Sequence, residues 1–484
     1  MRRVDVLVVG GGITGLGVAR LAARNGLGVA LLERGDLASG TSSASSHMLH
    51  GGLRYLEHGR LGLVREALSE RAAVSHMAPG VSRPHRFLVP VHRDGRLPLW
   101  RLRIGLALYD VLAGPRGLAP HATVRARETL ALEPGLSPEG LVGAGIYSDV
   151  VMDDARLAVL VARDAAAHGA SLHTYCEAAA ARPAEGGRVH VTAHDQLSGH
   201  ALAFETRVVV NAAGPWADAV RRRLLADLRP GAPAPDALLR PSRGIHLVYP
   251  PLTRSHGLLL AARRDRRVLF VVPLGEHALV GTTEIEVPSP PPHEAFEPSD
   301  DEIDYLRREL ASVLPDAARL RPLAVTAGVR PLLASEREVG QASREHRVAV
   351  DGHVITVAGG KYTTFRVMAR DALARAAHLL GRPATSFHDT EDLLPPPPAA
   401  GTDLERRVDH AVDHEHVRRV DDVLRRRTGL WLDPGRARDA TPRIARRMAQ
   451  RLGWDAARER DEIHHALEAR EAEQRLIARA MEGA

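Results

Sequence analysis

The chain has one cysteine, Cys176, and one lysine, Lys361, in 484 residues, and only 4% of it is aromatic. A single cysteine excludes an intramolecular disulfide, a four-cysteine zinc site and an iron–sulfur cluster ligated by this chain alone, and no metal site is expected. No run reaches the 18 or more apolar residues of a membrane span. The longest early run, Val6 to Ala19, contains Gly10, Gly11 and Gly12, which would break the helix of a signal segment, and no small-residue cleavage site follows. These absences lead us to expect a cytoplasmic chain, whose only membrane contact would be peripheral, on the inner face of the cytoplasmic membrane. What is present is ordinary globular composition, 44% hydrophobic and 26% charged, with length for about three domains. The formal net charge is +6. Every basic residue except Lys361 is arginine, and the arginines are interspersed with acids rather than gathered in a stripe, so no nucleic-acid partner is expected.

Val4 to Val9 reads as a buried parallel strand that runs into Gly10-Gly-Gly12-Ile13-Thr14-Gly15. A helical pattern follows, then a second strand, Gly28 to Leu32, that ends at Glu33. In this context Gly10 permits a tight turn, Gly12 lets a pyrophosphate approach the backbone, and Gly15 lets the helix lie close to the sheet. The helix N-terminus favours the pyrophosphate charge, and Glu33 can accept from the ribose hydroxyls of an adenosine. Those features do not separate NAD from FAD. The next segment bears on that choice: Ser39 to Ser46, including Thr41, Ser42, Ser43 and Ser46, then His47 and His50-Gly51-Gly52-Leu-Arg54-Tyr55. Such a run can offer backbone and hydroxyl donors to a second phosphate region and let a flat ring system reach the main chain.

Together with Tyr147-Ser-Asp149, Asn211-Ala-Ala-Gly214-Pro-Trp216, Gly281-Thr282-Thr283, Gly328-Val-Arg330-Pro and Gly359-Gly360-Lys361-Tyr-Thr363-Thr, these residues resemble the FAD-dependent glycerol-3-phosphate dehydrogenases. The matches come in family order from residue 4 to about 370, and a weaker one continues through Val420 to Thr428. The resemblance implies an α/β flavoprotein of the D-amino-acid-oxidase type, with a Rossmann-type FAD-binding domain, an interleaved antiparallel-sheet substrate domain and a C-terminal helical domain. It implies non-covalent FAD, oxidation of sn-glycerol 3-phosphate to dihydroxyacetone phosphate, and electrons passed on to membrane quinone. This chain departs from the family at His47, where a basic residue is common, and at Tyr362, where an aliphatic one is commoner. Cys176 lies away from any loop where related amine oxidases attach flavin and reads as a small buried residue.

A phosphate-bearing alcohol needs cations and a proton acceptor. Arginine forks match phosphate oxygens, and Arg54 and Arg330 are the candidates, with Arg344 added by resemblance. Lys361 would place a compact ammonium near a flavin carbonyl or the reacting oxygen. His50 is the first candidate base, with Lys361 or a bound water as rivals. His246, Thr282, Thr283 and Tyr55 complete the substrate set. The cofactor set is Gly10, Gly12, Ile13, Thr14, Gly15, Glu33, Thr41, Ser42, Ser43, Ser46, Gly51, Gly52, Gly214, Gly359, Gly360, Lys361 and Thr363. Rival functions are an oxidase that passes electrons to O2 and releases peroxide, an amine or amino-acid oxidase, and a flavin-retaining scaffold.

The expected FAD-binding pieces are 1–75, 145–235 and 323–386, and the substrate-domain pieces are 76–144 and 236–322. A proline-rich linker, 387–402, precedes a helical region, 403–484. The segment Arg96 to Tyr109 mixes Trp, Leu and Arg, as an interfacial segment does, and equally suits a core helix flanked by surface arginines. Oligomeric state is open, a homodimer included.

Overall fold

The computed structural model describes residues 1–95, 97–289, 291, 296–334, 345–399 and 401–482, with the side chains of residues 54, 57 and 58 also outside the description. Strand Val6–Val9 is buried on both faces because its residues alternate between two cores. Val6 and Val8 join Leu16, Leu157 and Met368, from three helices on one side. Leu7 and Val9 join Val191, Phe204 and Leu224 on the other. The six-stranded sheet runs in the order His346–Asp351, Val354–Gly359, Val208–Asn211, Val6–Val9, Val29–Leu32, Ser171–His173, and is parallel except at the His346–Asp351 edge. A four-stranded sheet and helix Ala217–Leu228 cover its second face.

The second large sheet has ten strands and is mostly antiparallel, and it contains Ser82–His92, Ser242–Tyr249, Val268–Leu274 and His277–Gly281. Helix Asp300–Val313 packs within one of its cores, and helices Leu61–Met77 and Leu99–Ala113 contribute to another. The two sheets interleave along the chain more finely than the sequence ranges anticipate. Ala324–Arg330 pairs with Ser242–Tyr249, and Leu141–Met152 pairs with Ser82–His92, so both strands belong to the ten-stranded sheet. Ser242–Tyr249 carries His246, so this pairing brings Arg330 and His246 to adjacent strands. No helix among the described residues is long and apolar enough to cross a membrane.

The proline-rich stretch is strapped down rather than loose. Asp389 receives Arg20 and Arg366 at 2.8 and 2.7 Å, and Leu394 is buried. Beyond it, helices Leu404–His414, Pro434–Leu452 and Ala456–Glu482 enclose Val408, Ile444, Met448 and Trp431. This helical part is joined to the nucleotide part by buried charge. Asp36, three residues after Glu33, receives Arg426 at 2.5 Å and both terminal nitrogens of Arg427 at 2.7 Å. Glu415 receives both terminal nitrogens of Arg156 at 2.8 Å, and Tyr175 donates to Asp422 at 2.6 Å.

Burial opposes the Asp36 and Glu415 charges, yet the facing cations hold both carboxyls below their ordinary 3.8 and 4.5. Asp422 is pushed up to about 6 by burial and by the Asp36 charge. The folded state therefore gains a proton on Asp422 before the unfolded chain does, between about pH 6 and 3.8, which favours folding as pH falls through that window. Below about 4.5 and 3.8 the unfolded chain takes protons that Glu415 and Asp36 still refuse, and their stabilisation drains away. Denaturant midpoints are expected to hold or rise slightly from pH 6 to about pH 4 and to fall below it. Asp36→Asn, which takes the shared carboxylate from two buried guanidinium groups and leaves them only Asp422 and Glu415, should lower unfolding free energy by about 3 kcal/mol at neutral pH in the same measurement.

Candidate active site

A cavity of about 2540 Å³ runs between the two large sheets. At one wall, strand Val6–Val9 turns through Gly10, with φ +110°, into helix Ile13–Arg24. A Cβ at Gly10 would stand 2.6 Å from the Ala212 carbonyl oxygen, and one at Gly15 would run into the Gly10 carbonyl. The helix has no side-chain cap at Gly12, so its first-turn N–H groups face the cavity, with Ile13 N donating to Ser42 Oγ at 3.0 Å. Both Glu33 carboxylate oxygens accept backbone donors, from Gly11 at 2.6 Å and Gly35 at 2.8 Å. Burial nonetheless raises its pKa from 4.5.

The chain from Ser39 to Gly52 crosses between the sheets and is tied through the side chains of Thr41, Ser42, Ser45, Ser46 and His47. Thr41 Oγ1 donates to the Val329 carbonyl at 2.5 Å, Ser45 to Asp154 at 2.6 Å, and Ser46 Oγ meets His246 Nε2 at 3.0 Å. His47, the departure noted above, points to the Met152 carbonyl and to Asp154, 3.2 and 3.6 Å away. Gly51 N donates to the buried Tyr109 hydroxyl at 2.8 Å. Gly52 is left-handed, with φ +78°, and its bare Cα faces the Tyr55 ring.

The reacting end gathers residues from five separate stretches of sequence. His50, Tyr55, His246, Thr282, Arg330 and Lys361 all line the cavity. Lys361 Nζ sits 3.9 Å from the Tyr55 ring centroid, a cation–π contact. Arg330 Nη2 donates to Thr282 Oγ1 at 2.7 Å and to the Thr283 carbonyl at 3.1 Å, which fixes its guanidinium plane. His246 is buried, and desolvation, reinforced by the Arg330 and His47 charges, pushes it down to about 3. It is therefore a neutral hydrogen-bonding group.

Of the expected cofactor set, Gly10, Gly12, Ile13, Thr14, Glu33, Thr41, Ser42, Ser46, Gly52, Gly214, Gly359, Gly360, Lys361 and Thr363 line the cavity. Gly15, Ser43, Gly51 and Thr283 are not among the residues that line it. The Thr283 hydroxyl donates to buried Glu302 at 2.7 Å and accepts from Ile245 N at 3.0 Å. Arg344 and the Arg54 side chain lie outside the described residues. Cys176 is buried at the Glu33 end, and burial pushes its thiol up to about 11.

Three residues at that end were not singled out in the sequence. Arg34 lies 4.6 Å over the Trp216 ring, and Trp216 stacks on Phe296 at 5.0 Å and 12°. Trp216 closes the Asn211-to-Trp216 run and could have been flagged there; nothing in the sequence around Phe296 pairs it with Trp216.

This cavity suits an extended dinucleotide: an uncapped helix N-terminus for pyrophosphate, an acid at the ribose position, and a glycine-lined far wall for a flat ring system. The pattern of the family described as FAD dependent oxidoreductase matches residues 5–370, and that of the C-terminal domain of alpha-glycerophosphate oxidase matches 373–459. The chain belongs to the FAD-dependent oxidoreductases, and its cofactor is FAD.

It is 39% identical over 399 residues to glycerol-3-phosphate dehydrogenase 2 of Mycobacterium tuberculosis, covering 81% of this chain and 66% of that protein. It is 39% identical over 382 residues to a glycerol-3-phosphate dehydrogenase of Pseudomonas aeruginosa, covering 77% and 71%. The chain thus spans about two thirds of the length of these bacterial relatives. The FAD-complexed glycerol-3-phosphate dehydrogenase from Bacillus halodurans superposes with a TM-score of 0.70 at 24% identity, covering 98% of this chain and 95% of that one.

The geometry yields two tests. Gly15→Ala places a methyl group against the Gly10 carbonyl and should cost about 1–3 kcal/mol in unfolding free energy, while the purified protein loses most of its yellow flavin absorbance. The His246 ring resonances should show no titration between roughly pH 5 and 9 by NMR, because a ring held near 3 stays neutral there.

Proposed function

We propose that this protein oxidises sn-glycerol 3-phosphate to dihydroxyacetone phosphate and passes the electrons to a membrane quinone. The observation that carries the reading is Arg330, a guanidinium locked in plane by Thr282 and Thr283 on the wall that also presents His246, across a cavity that holds Lys361 and His50. A fixed fork suits the dianionic phosphate. The names of the two bacterial relatives support the same substrate.

Bound FAD supplies the two-electron sink for the hydrogen that leaves C2 with its electron pair. The C2 hydroxyl gives its proton to His50, and Lys361 provides positive charge where negative charge develops on that oxygen. Arg330 anchors the phosphate so that C2 is presented in one orientation. Arg54 and Arg344 are proposed as further phosphate ligands.

Helix Leu99–Ala113 supports the acceptor side of the reading. Leu102, Leu106 and Tyr109 face the core, while Trp100, Ile104, Leu108 and Val111 form an exposed apolar stripe at spacings of four, four and three. Trp100, Ile104 and Leu108 also line the cavity, beside Arg101, Arg263 and Arg266. An apolar stripe rimmed by arginine fits an anionic lipid surface, and it opens onto the cavity an apolar acceptor would enter.

Anaerobic mixing with a panel of glycerol phosphates and amines tests the substrate. Glycerol 3-phosphate should bleach the flavin and sarcosine should not, and the reverse result overturns the reading. Arg330→Gln should raise the KM for glycerol 3-phosphate at least about tenfold, the loss of a charged hydrogen bond of roughly 1.5–3 kcal/mol. Turnover with a soluble quinone analogue supports the acceptor, whereas rapid peroxide release in air points instead to an oxidase. Co-sedimentation with anionic vesicles at low salt should be salt-sensitive and lost in Ile104→Glu; no binding by the parent protein removes the membrane from the proposal.

A further inference from the structure

Beneath the His50-Gly51-Gly52 turn lies a buried polar cluster that the reaction chemistry above does not use. Tyr109, Asp149 and Arg71 are each 1% exposed. Arg71 Nη1 donates to Asp149 Oδ1 at 2.8 Å and to the Ser148 carbonyl at 3.2 Å. The Tyr109 hydroxyl lies 2.9 and 3.1 Å from the two Asp149 oxygens and 2.8 Å from Gly51 N. The amide can only donate, so the phenol oxygen accepts there and its own proton is directed at Asp149. The hydrogen-bond sequence is fixed: Gly51 amide to Tyr109, Tyr109 to Asp149, Arg71 to Asp149.

A core of this kind is an uneconomical way to gain stability. Replacing a buried ion pair with apolar side chains of similar size is often neutral or stabilising, so its retention calls for a geometric reason. The turn itself supplies one. A Cβ at Gly51 would stand 2.5 Å from Leu68 and 2.6 Å from the Tyr109 hydroxyl, so the main chain is pressed directly against the cluster. His50 lines the cavity one residue before this contact, and left-handed Gly52 lines it one residue after.

We propose that Tyr109, backed by Asp149 and Arg71, is a positioning residue that fixes the height of the His50-Gly51-Gly52 turn and thereby sets His50 against the reacting hydroxyl. The inference rests on the proposed role of His50 and adds three residues that act through the turn, of which Asp149 also borders the cavity. Tyr109 sets the position of the main chain, Asp149 orients the phenol, and Arg71 holds Asp149 in place, its charge opposing the burial that raises that carboxyl. A displacement of the turn by a fraction of an ångström changes the approach of His50 without changing the phosphate grip at Arg330.

Tyr109→Phe keeps the ring and removes the oxygen that receives the Gly51 amide. By hydrogen exchange and mass spectrometry, the peptide covering residues 48–53 should exchange about tenfold faster, while peptides from the inner face of helix Leu99–Ala113 stay unchanged. Flavin content and thermal midpoint should remain close to the parent's. Bleaching at saturating glycerol 3-phosphate should slow by about ten- to a hundredfold, with KM altered less than about threefold.

Exchange and bleaching both within about twofold of the parent would overturn the proposal. So would faster exchange spread over the whole helix with a proportional fall in thermal midpoint, because that is the signature of a plain core residue. If Tyr109→Phe does not fold, Asp149→Asn, which keeps shape and removes the charge, is held to the same two readouts. If the parent is not bleached by glycerol 3-phosphate, the substrate reading fails alone, and the exchange measurement still decides whether Tyr109 holds the turn.

Discussion

The stretch from Ser39 to Gly52 must cross between two sheets with almost no regular structure of its own, and the site depends on how it is held. It contains a three-residue helical turn, Thr41–Ser43, and a two-residue strand, Met48–Leu49. Its shape is imposed from outside: Val329 and His246 on the ten-stranded sheet, Ile13 and Asp154 on helices of the nucleotide part, and Tyr109 from below. Small hydroxyl side chains suit this duty because they bond near neighbours without filling the space a ligand needs. The segment that looks most like a flexible serine linker is therefore among the most constrained in the chain.

Buried charge plays a similar part elsewhere. Asp36 with Arg426 and Arg427 joins the helical C-terminal part to the end of the Glu33 strand. Asp389 with Arg20 and Arg366 pins the proline-rich crossing to the helices behind the nucleotide turn. Glu302 serves two structures at once, capping helix Asp300–Val313 through Ser299 and holding Thr283 behind Arg330. Each pair is expensive to bury and directional once buried, which makes such pairs better at fixing where elements sit than at raising overall stability.

Much of the nucleotide half was legible in the sequence, because the groups that form it are close together along the chain. Strand, glycine turn, helix and acid lie within residues 4–33, and Gly11 and Gly15 each meet a neighbour from that same stretch. The reacting end was legible as short runs but not as a geometry. His246 and Arg330 become neighbours only through the antiparallel pairing of two strands about 80 residues apart, which no local pattern encodes. Thr282 and Thr283 show the limit most clearly: adjacent in sequence and identical in chemistry, they take opposite roles, one on the cavity wall and one bonded to Glu302. Tyr109 was read only as one end of an apolar, arginine-bearing helix; its hydroxyl acquires meaning from Gly51, 58 residues away. Sheet membership of Leu141–Met152 and Ala324–Arg330 escaped the domain ranges for the same reason.

Lys361 is the only lysine in the chain, it is half-buried, and it stands on the cavity wall over Tyr55. An amine-directed acylating reagent therefore has a single side-chain target here, apart from the chain's amino terminus. One covalent adduct, counted by mass, would report how accessible the reacting end of the cavity is, with no engineered probe. The same exclusivity means that acetylation of one side chain would neutralise the only side-chain ammonium in a protein whose arginines are largely inert to acylation.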